Sequence, residues 1–232
     1  MSMIGHYASY PLNTENGLVY CTCHGESGDI GLFERHNCKP KGVIHVGAWD
    51  CAEMGCYKHL FGENVIWVEA NTHTYENITL PALRGKNNAD GLDNPNWKVY
   101  NNVIFNEDGL EVDMINEGGE SYVHLNPFNS TSMFTKRLDT LILEEKINMD
   151  NYDFINIDTE GSELKVLQSI EKNLNKINYV FVEVSLSKRQ EYGCTFDEMI
   201  NYLNSKGFDL VETSDSINTL SWGDAFFVRR SQ

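Results

Sequence analysis

Positive charge is scarce in this chain: its 232 residues carry 18 Lys and Arg against 34 Asp and Glu, a formal net charge of −16. Binding to nucleic acid phosphates needs clustered cations, so no nucleic acid partner is expected. Apolar runs long enough to cross a bilayer are also missing, and no membrane partner is expected. The first residues, "MSMIGHYASYPLNTENG", lack the basic end and apolar centre of a secretory leader. The expectation is a soluble cytoplasmic protein whose six cysteines (Cys21, Cys23, Cys38, Cys51, Cys56, Cys194) stay reduced. Cys21, Cys23, His24, His36 and Cys38 crowd into one stretch. Their C-x-C and H-x-C spacings depart from the C-x2–4-C pairs of a structural zinc site, and no metal is assigned to them.

What is present is the alternation of an α/β protein, with 41% hydrophobic residues suiting one domain. Residues 1–40 show no clear periodicity and read as an N-terminal appendage, with "ENGLVYCTCHG" a strand or hairpin. From 41 to 232, short apolar runs alternate with helical patterns. Strands are expected at "GVIHVGA", "NVIWVEAN", "WKVYNNVIF", "DFINID", "INYVFVEVS", after Gly207 and at "DAFFVRR". Helices are expected at "AEMGCYKHLF", at "TYENITLPALRG" with a break at Pro81, at "ELKVLQSI" and at "FDEMINYLNSK". The stretches "GKNNADGLDNPN" and "GGESYVHLNPFNSTSMFT" read as loops. Such alternation implies a doubly wound, mostly parallel, Rossmann-like sheet with helices on both faces.

Ligands of open α/β sheets bind beyond the carboxyl ends of the strands. There the first strand delivers Gly47 and Ala48, the second Glu69, Ala70 and Asn71, the third Asn101 and Asn102. A Gly turn after one strand and an acid closing the next, at close to the roughly 20-residue spacing of a nucleoside site, suggest backbone against a ligand and a carboxylate on its ribose. After Gly47, however, no glycine occurs until Gly55. A pyrophosphate needs those glycines at the helix N-terminus, so a nicotinamide dinucleotide is disfavoured. S-adenosylmethionine, a nucleoside without phosphates, fits better.

The fourth strand ends "NYDFINIDTEGSELKVLQSI", placing Asp158 at its tip, Glu160 beyond it and Glu163 in the first helical turn. An acid in that turn complements the helix dipole, whereas a carboxylate ending a buried strand costs desolvation unless it has a task. The fifth strand adds Glu183 and Ser185. His45, inside the first strand, reads as a core histidine. His124, Tyr122 and Trp222 are candidates for a lid.

Four blocks resemble the FkbM-type S-adenosylmethionine-dependent methyltransferases: "VIHVGAWDCAEMGCYKHLFGENVIWVEAN"; "RLDTLI"; "DFINIDTEGSELKVLQSI" with "YVFVEVS"; and "GCTFDEMINYLNSKGFDLVET" with "WGDAFFVRR". The resemblance implies a seven-stranded class I methyltransferase fold and methyl transfer to the hydroxyl oxygen of an acceptor such as a sugar or glycan. It implies that Gly47 and Ala48 line the methionine portion of the cofactor, that Glu69 with Ala70 holds the ribose, that Asn102 lies near the adenine and that Asp158 faces the sulfonium. Two departures stand out: His45-Val46-Gly47-Ala48-Trp49 where the family often has Asp-Val-Gly-Ala-Asn, and Cys51 at a frequent Gly. A hydroxyl is a poor nucleophile, so Asp158 and Glu160 are the catalytic candidates, Glu160 reaching the acceptor. Alternatively, Glu160 shares a divalent cation such as Mg²⁺ with Asp158 and Glu183. A methyltransferase-like assembly module without catalysis is the rival reading.

Overall fold

A computed structural model describes residues 7–14, 17–24, 29–84, 94, 96–117, 120–125, 127 and 132–231. An antiparallel hairpin of β1 (Tyr7–Thr14) and β2 (Gly17–His24) precedes helix α1 (Asp29–Arg35). Strands and helices then alternate through β3 (Val43–Val46), α2 (Met54–Phe61), β4 (Val65–Glu69) and α3 (Thr72–Thr74). A π-helical turn, Tyr75–Thr79, leads into α4 (Leu80–Arg84) and then β5 (Lys98–Asn101). Four short strands follow: β6 (Val103–Ile104), β7 (Glu111–Glu117), β8 (Glu120–His124) and β9 (Met133–Lys136). The alternation resumes with α5 (Leu138–Glu144), β10 (Phe154–Ile157), α6 (Glu163–Ser169), β11 (Tyr179–Ser185) and α7 (Phe196–Ser205). The last elements are β12 (Phe208–Thr213), α8 (Ser216–Leu220) and β13 (Trp222–Arg229).

Seven strands form the main sheet in the order β12-β13-β11-β10-β3-β4-β5. Only β13 runs against its neighbours. The period-2 alternation of the strands builds two cores. Ile44, Ile66, Ile155 and Val182 face one side, against Leu141, Val166, Leu167 and Leu203 of α5, α6 and α7. Val43, Trp67, Phe154 and Phe181 face the other, against Tyr57 and Phe61 of α2. Leu32 and Phe33 of α1 are buried in that second core, so this part of the 1–40 stretch packs against the sheet.

Three local expectations change. "WKVYNNVIF" is not one strand: the chain leaves the main sheet at Asn102, and β6 pairs with β9 in a separate four-stranded sheet, β6-β9-β7-β8. Much of "GGESYVHLNPFNSTSMFT" is therefore paired strand, with only Val123 of β8 and Thr135 of β9 buried among the described positions, too few for an apolar period to show. Pro81 does not break its helix. The π-helical turn before it, where Leu80 N–H donates to Tyr75 O, shifts the hydrogen-bond register where the proline has no donor. The loop expected at "GKNNADGLDNPN" lies, apart from Asn94 and Asn96, outside the described residues, as do the side chains of Cys21, Cys23 and His24. Among the described residues no helix is long and apolar enough to cross a membrane.

Candidate active site

Strand order reverses between β3 and β10, and a cleft of about 950 Å³ opens at the carboxyl ends of the strands there. Gly47 leaves β3 with φ +96°, and a Cβ on it would lie 1.6 Å from the carbonyl oxygen of Asp158. The N–H groups of Gly47 and Ala48 both donate to Val68 O, at 2.9 and 3.1 Å, which draws the loop across the end of β4. Trp49 and Cys51 also take left-handed conformations, φ +39° and +57°. The loop thus holds at Cys51 a geometry that favours glycine.

Drawn into this position, Trp49 donates its N–H to Glu69 Oε2 at 3.0 Å, and Asn71 donates its N–H to Oε1 at 2.7 Å. Glu69 is 6% exposed and fixed at the cleft wall. Burial raises its carboxyl, and the N–H groups of Asn71, Trp49 and Ala70 oppose that shift. Asn71 caps α3, its Oδ1 accepting from His73 and Thr74 N–H, and donates through Nδ2 to Asn116 Oδ1 and Ser121 Oγ. The small sheet is thereby tied to the tip of β4. Met114 and Val123 of that sheet, with Val103 and Ile104, give the cleft an apolar wall beside Ala70 and Asn102. Ala48 is buried in the second core beneath, and the cleft is lined instead by its neighbours Gly47 and Trp49.

The opposite wall is acidic. Asp158, Glu160 and Glu183 each bring an oxygen within 4.8 Å of the others. Arg189, from the loop after β11, bonds Glu183 Oε2 at 2.7 Å and also Glu160, its guanidinium 5.8 Å from the ring centre of Trp222. Glu160 itself has φ +55°. Its turn is held by Glu163, whose Oε1 accepts from Gly161 N–H at 2.7 Å and from Thr159 N–H at 3.3 Å. Glu163 thus does more than complement a helix dipole.

Asp158 opens onto the cleft while protein crowds its other sides. Burial, then Glu160, Asp224 and Glu163, push its carboxyl well above the carboxylate range. Glu183 is pushed up to about 10 by burial and by Asp158 and Glu160, against the pull of Arg189. Asp224 stands opposite Glu183 in the β11–β13 register and is raised to about 7 by burial and Glu53.

The cleft brings together Gly47, Glu69, Ala70, Asn102, Asp158 and Glu160. His45 is buried, stacks on Trp67 at 5.0 Å and sits with Nδ1 3.1 Å from Tyr57 Oη; burial lowers its pKa to about 3. Trp222 lines the cleft. Tyr122 and His124 alternate along β8 with Ser121 and Val123, which line it, and so lie on the other face. Asp224, Arg189 and the tether from Asn71 escaped the sequence reading. The "WGD" triplet was the available signal for the first. A Cβ on Gly223 would lie 2.2 Å from Ser216 Oγ and 2.3 Å from Ser214 Oγ, so only glycine fits between Trp222 and Asp224.

The profile of the methyltransferase FkbM domain matches residues 38–210. The chain belongs to the FkbM methyltransferase family. Its class is that of S-adenosylmethionine-dependent methyltransferases. No curated protein matches it. Among solved structures it is similar to the O-methyltransferase from Bacillus cereus in complex with SAH, at 11% identity and a TM-score of 0.52, over 86% of this chain and 77% of that one. It also matches the methyltransferase domain of bacterial CtHen1-CN (10% identity, TM-score 0.48, 87% and 95% of the two chains). A third match is Aeropyrum pernix fibrillarin with natively bound S-adenosyl-L-methionine (10%, 0.45, 81% and 66%). At these identities the Bacillus cereus likeness is one of fold.

Proposed function

We propose that this FkbM-family protein methylates a hydroxyl oxygen of a small-molecule or glycan acceptor, such as a sugar. The observation that carries this reading is the pairing of two walls across one cleft: Glu69 with an apolar wall on one side, Asp158 with Asp224 on the other. The first wall fits S-adenosylmethionine. The cleft lies within the roughly 300–1,000 Å³ range of small-molecule sites. Gly47 offers backbone without a side chain in the way at the turn, Glu69 keeps lone pairs for ribose hydroxyls, and Asn102 with Ile104 and Met114 can hold a flat base. When bound, S-adenosylmethionine supplies an electrophilic methyl group on a sulfonium.

The second wall handles the acceptor. Asp158, at the tip of β10 and open to the cleft, accepts the proton of the acceptor hydroxyl. Glu160 was expected to meet that hydroxyl itself. Its pairing with Arg189 makes it a positioning residue that holds the turn beside Asp158. Arg189 also meets the charge on Glu160 and Glu183 that a Mg²⁺ would otherwise meet, so we read the reaction without a divalent cation. The acidity of this wall speaks against a polyphosphate acceptor, in line with the net charge of −16.

The test is transfer of a labelled methyl group to a panel of free sugars and glycosides, with the product bond assigned by NMR. An O-methyl ether supports the proposal. Label found only on nitrogen, carbon or a nucleic acid overturns it.

A further inference from the structure

The charge lining the cleft is of one sign. Seven carboxylates face it and, among the described residues, no lysine or arginine does. Four of the seven have partners: Glu69 the backbone N–H groups, Glu160 and Glu183 the guanidinium of Arg189, and Glu53 the His45 ring, Nδ1 to Oε2 at 3.8 Å. Asp158, Asp215 and Asp224 have no ion pair with any described residue. Asp158 belongs to β10, beside Gly47. Asp224 and Asp215 lie on the far side of Glu183, on β13 and at the start of α8. Acids that converge in a concave, low-dielectric wall resist ionisation together: burial first, then Glu160, Asp224 and Glu163, raise Asp158, and burial, then Glu53, raises Asp224.

A neutral acceptor leaves the repulsion in place and an anionic one increases it. A cation removes it. A second observation points the same way: the wall already attracts one cation. The Arg189 guanidinium lies over Trp222, two residues from Asp224 on the same strand. Residues i and i+2 of a strand share a face, so Trp222 and Asp224 pair an aromatic surface with a carboxylate. Trp222 is 41% exposed and lines the cleft. Aromatic faces favour cations and also flat sugar faces.

We infer that the acceptor carries a protonated amine beside its hydroxyls, as an amino sugar or amino polyol does, and that Asp224 beside Trp222 binds the ammonium. This rests on the acceptor site proposed above. It also accounts for the choice of oxygen. An amine held as ammonium between carboxylates has no lone pair to attack with, and the neighbouring hydroxyl remains the nucleophile, losing its proton to Asp158.

The experiment is calorimetric titration of the full chain, saturated with S-adenosylhomocysteine, with glucosamine, N-acetylglucosamine and glucuronic acid. Glucosamine is expected to bind about tenfold or more tightly than its N-acetyl form, with glucuronic acid weakest. Asp224→Asn should erase the preference without weakening S-adenosylhomocysteine. Asp215→Asn, at an exposed position where folding is not at stake, should reduce it. Absence of a preference for the amine, failure of glucosamine to bind included, overturns the inference while leaving the methyltransferase reading intact. Failure of S-adenosylhomocysteine to bind overturns both, and the first titration alone separates the two results.

Discussion

Gly47 and Asp158 are packed so closely that any side chain on the first would overlap the backbone of the second, Cβ to carbonyl oxygen at 1.6 Å. The glycine after β3 and the acid ending β10 are therefore one unit. Under the proposed function, the loop that meets the cofactor is seated on the strand tip that meets the acceptor.

Gly47→Ala should separate that unit. The left-handed φ of +96° and the overlap together predict a loss of roughly 2–4 kcal/mol of stability. Chemical denaturation measures it, and an unchanged midpoint would contradict the packing described.

Asp158→Asn should abolish turnover with the fold intact. The substitution removes one of the carboxylates crowded with Glu160, Asp224 and Glu163, so the thermal midpoint at neutral pH should stay level or rise. Activity retained at the wild-type level would remove Asp158 from the mechanism.

Stability should fall as pH rises from acid to neutral. Asp224 is raised from 3.8 to about 7, so it holds its proton more tightly folded than unfolded. Its contribution is complete below the unfolded value and is lost as pH climbs through about 7. Glu183, raised to about 10, acts in the same direction. Thermal midpoints of the unliganded protein should be higher near pH 5 than near pH 7.5, and Asp224→Asn should flatten the trend. A midpoint that rises over this interval in both proteins would refute the assignment.

Arg189 should serve in place of a metal. Arg189→Gln leaves Glu160 and Glu183 facing Asp158 without a cation, a loss on the order of 2 kcal/mol, less than for a fully buried pair because the guanidinium is partly exposed. Adding Glu183→Gln should recover most of it. Wild-type turnover should be unaffected by EDTA, and restoration of a chelated enzyme by Mg²⁺ would reverse this view.

Much of this architecture was legible because its causes are local. Strands such as "GVIHVGA" and "DFINID" are buried on both faces and read as apolar runs, and the acids at their ends mark the cleft directly. The small sheet was not legible. Its strands show few buried side chains, and β6 pairs with β9 some thirty residues on, a relationship no local pattern encodes. The same holds for Arg189, whose partners lie 29 and 6 residues away across two loops. Asp224 was hidden differently: it opens an ordinary strand, and only the register opposite Glu183 brings it to the site. Ala48 shows the converse, since adjacency to Gly47 put it among the expected contacts while the turn after β3 places it in the core.

The central claim is that Glu69 and the Gly47 loop hold S-adenosylmethionine. Calorimetric titration of the wild-type chain and of Glu69→Ala with S-adenosylmethionine tests it most directly. Binding by the wild type with a dissociation constant on the order of micromolar, lost in Glu69→Ala while its thermal transition stays cooperative, is the predicted result. Equal affinity in the two proteins would contradict the ribose assignment, and no binding by the wild type would contradict the account as a whole.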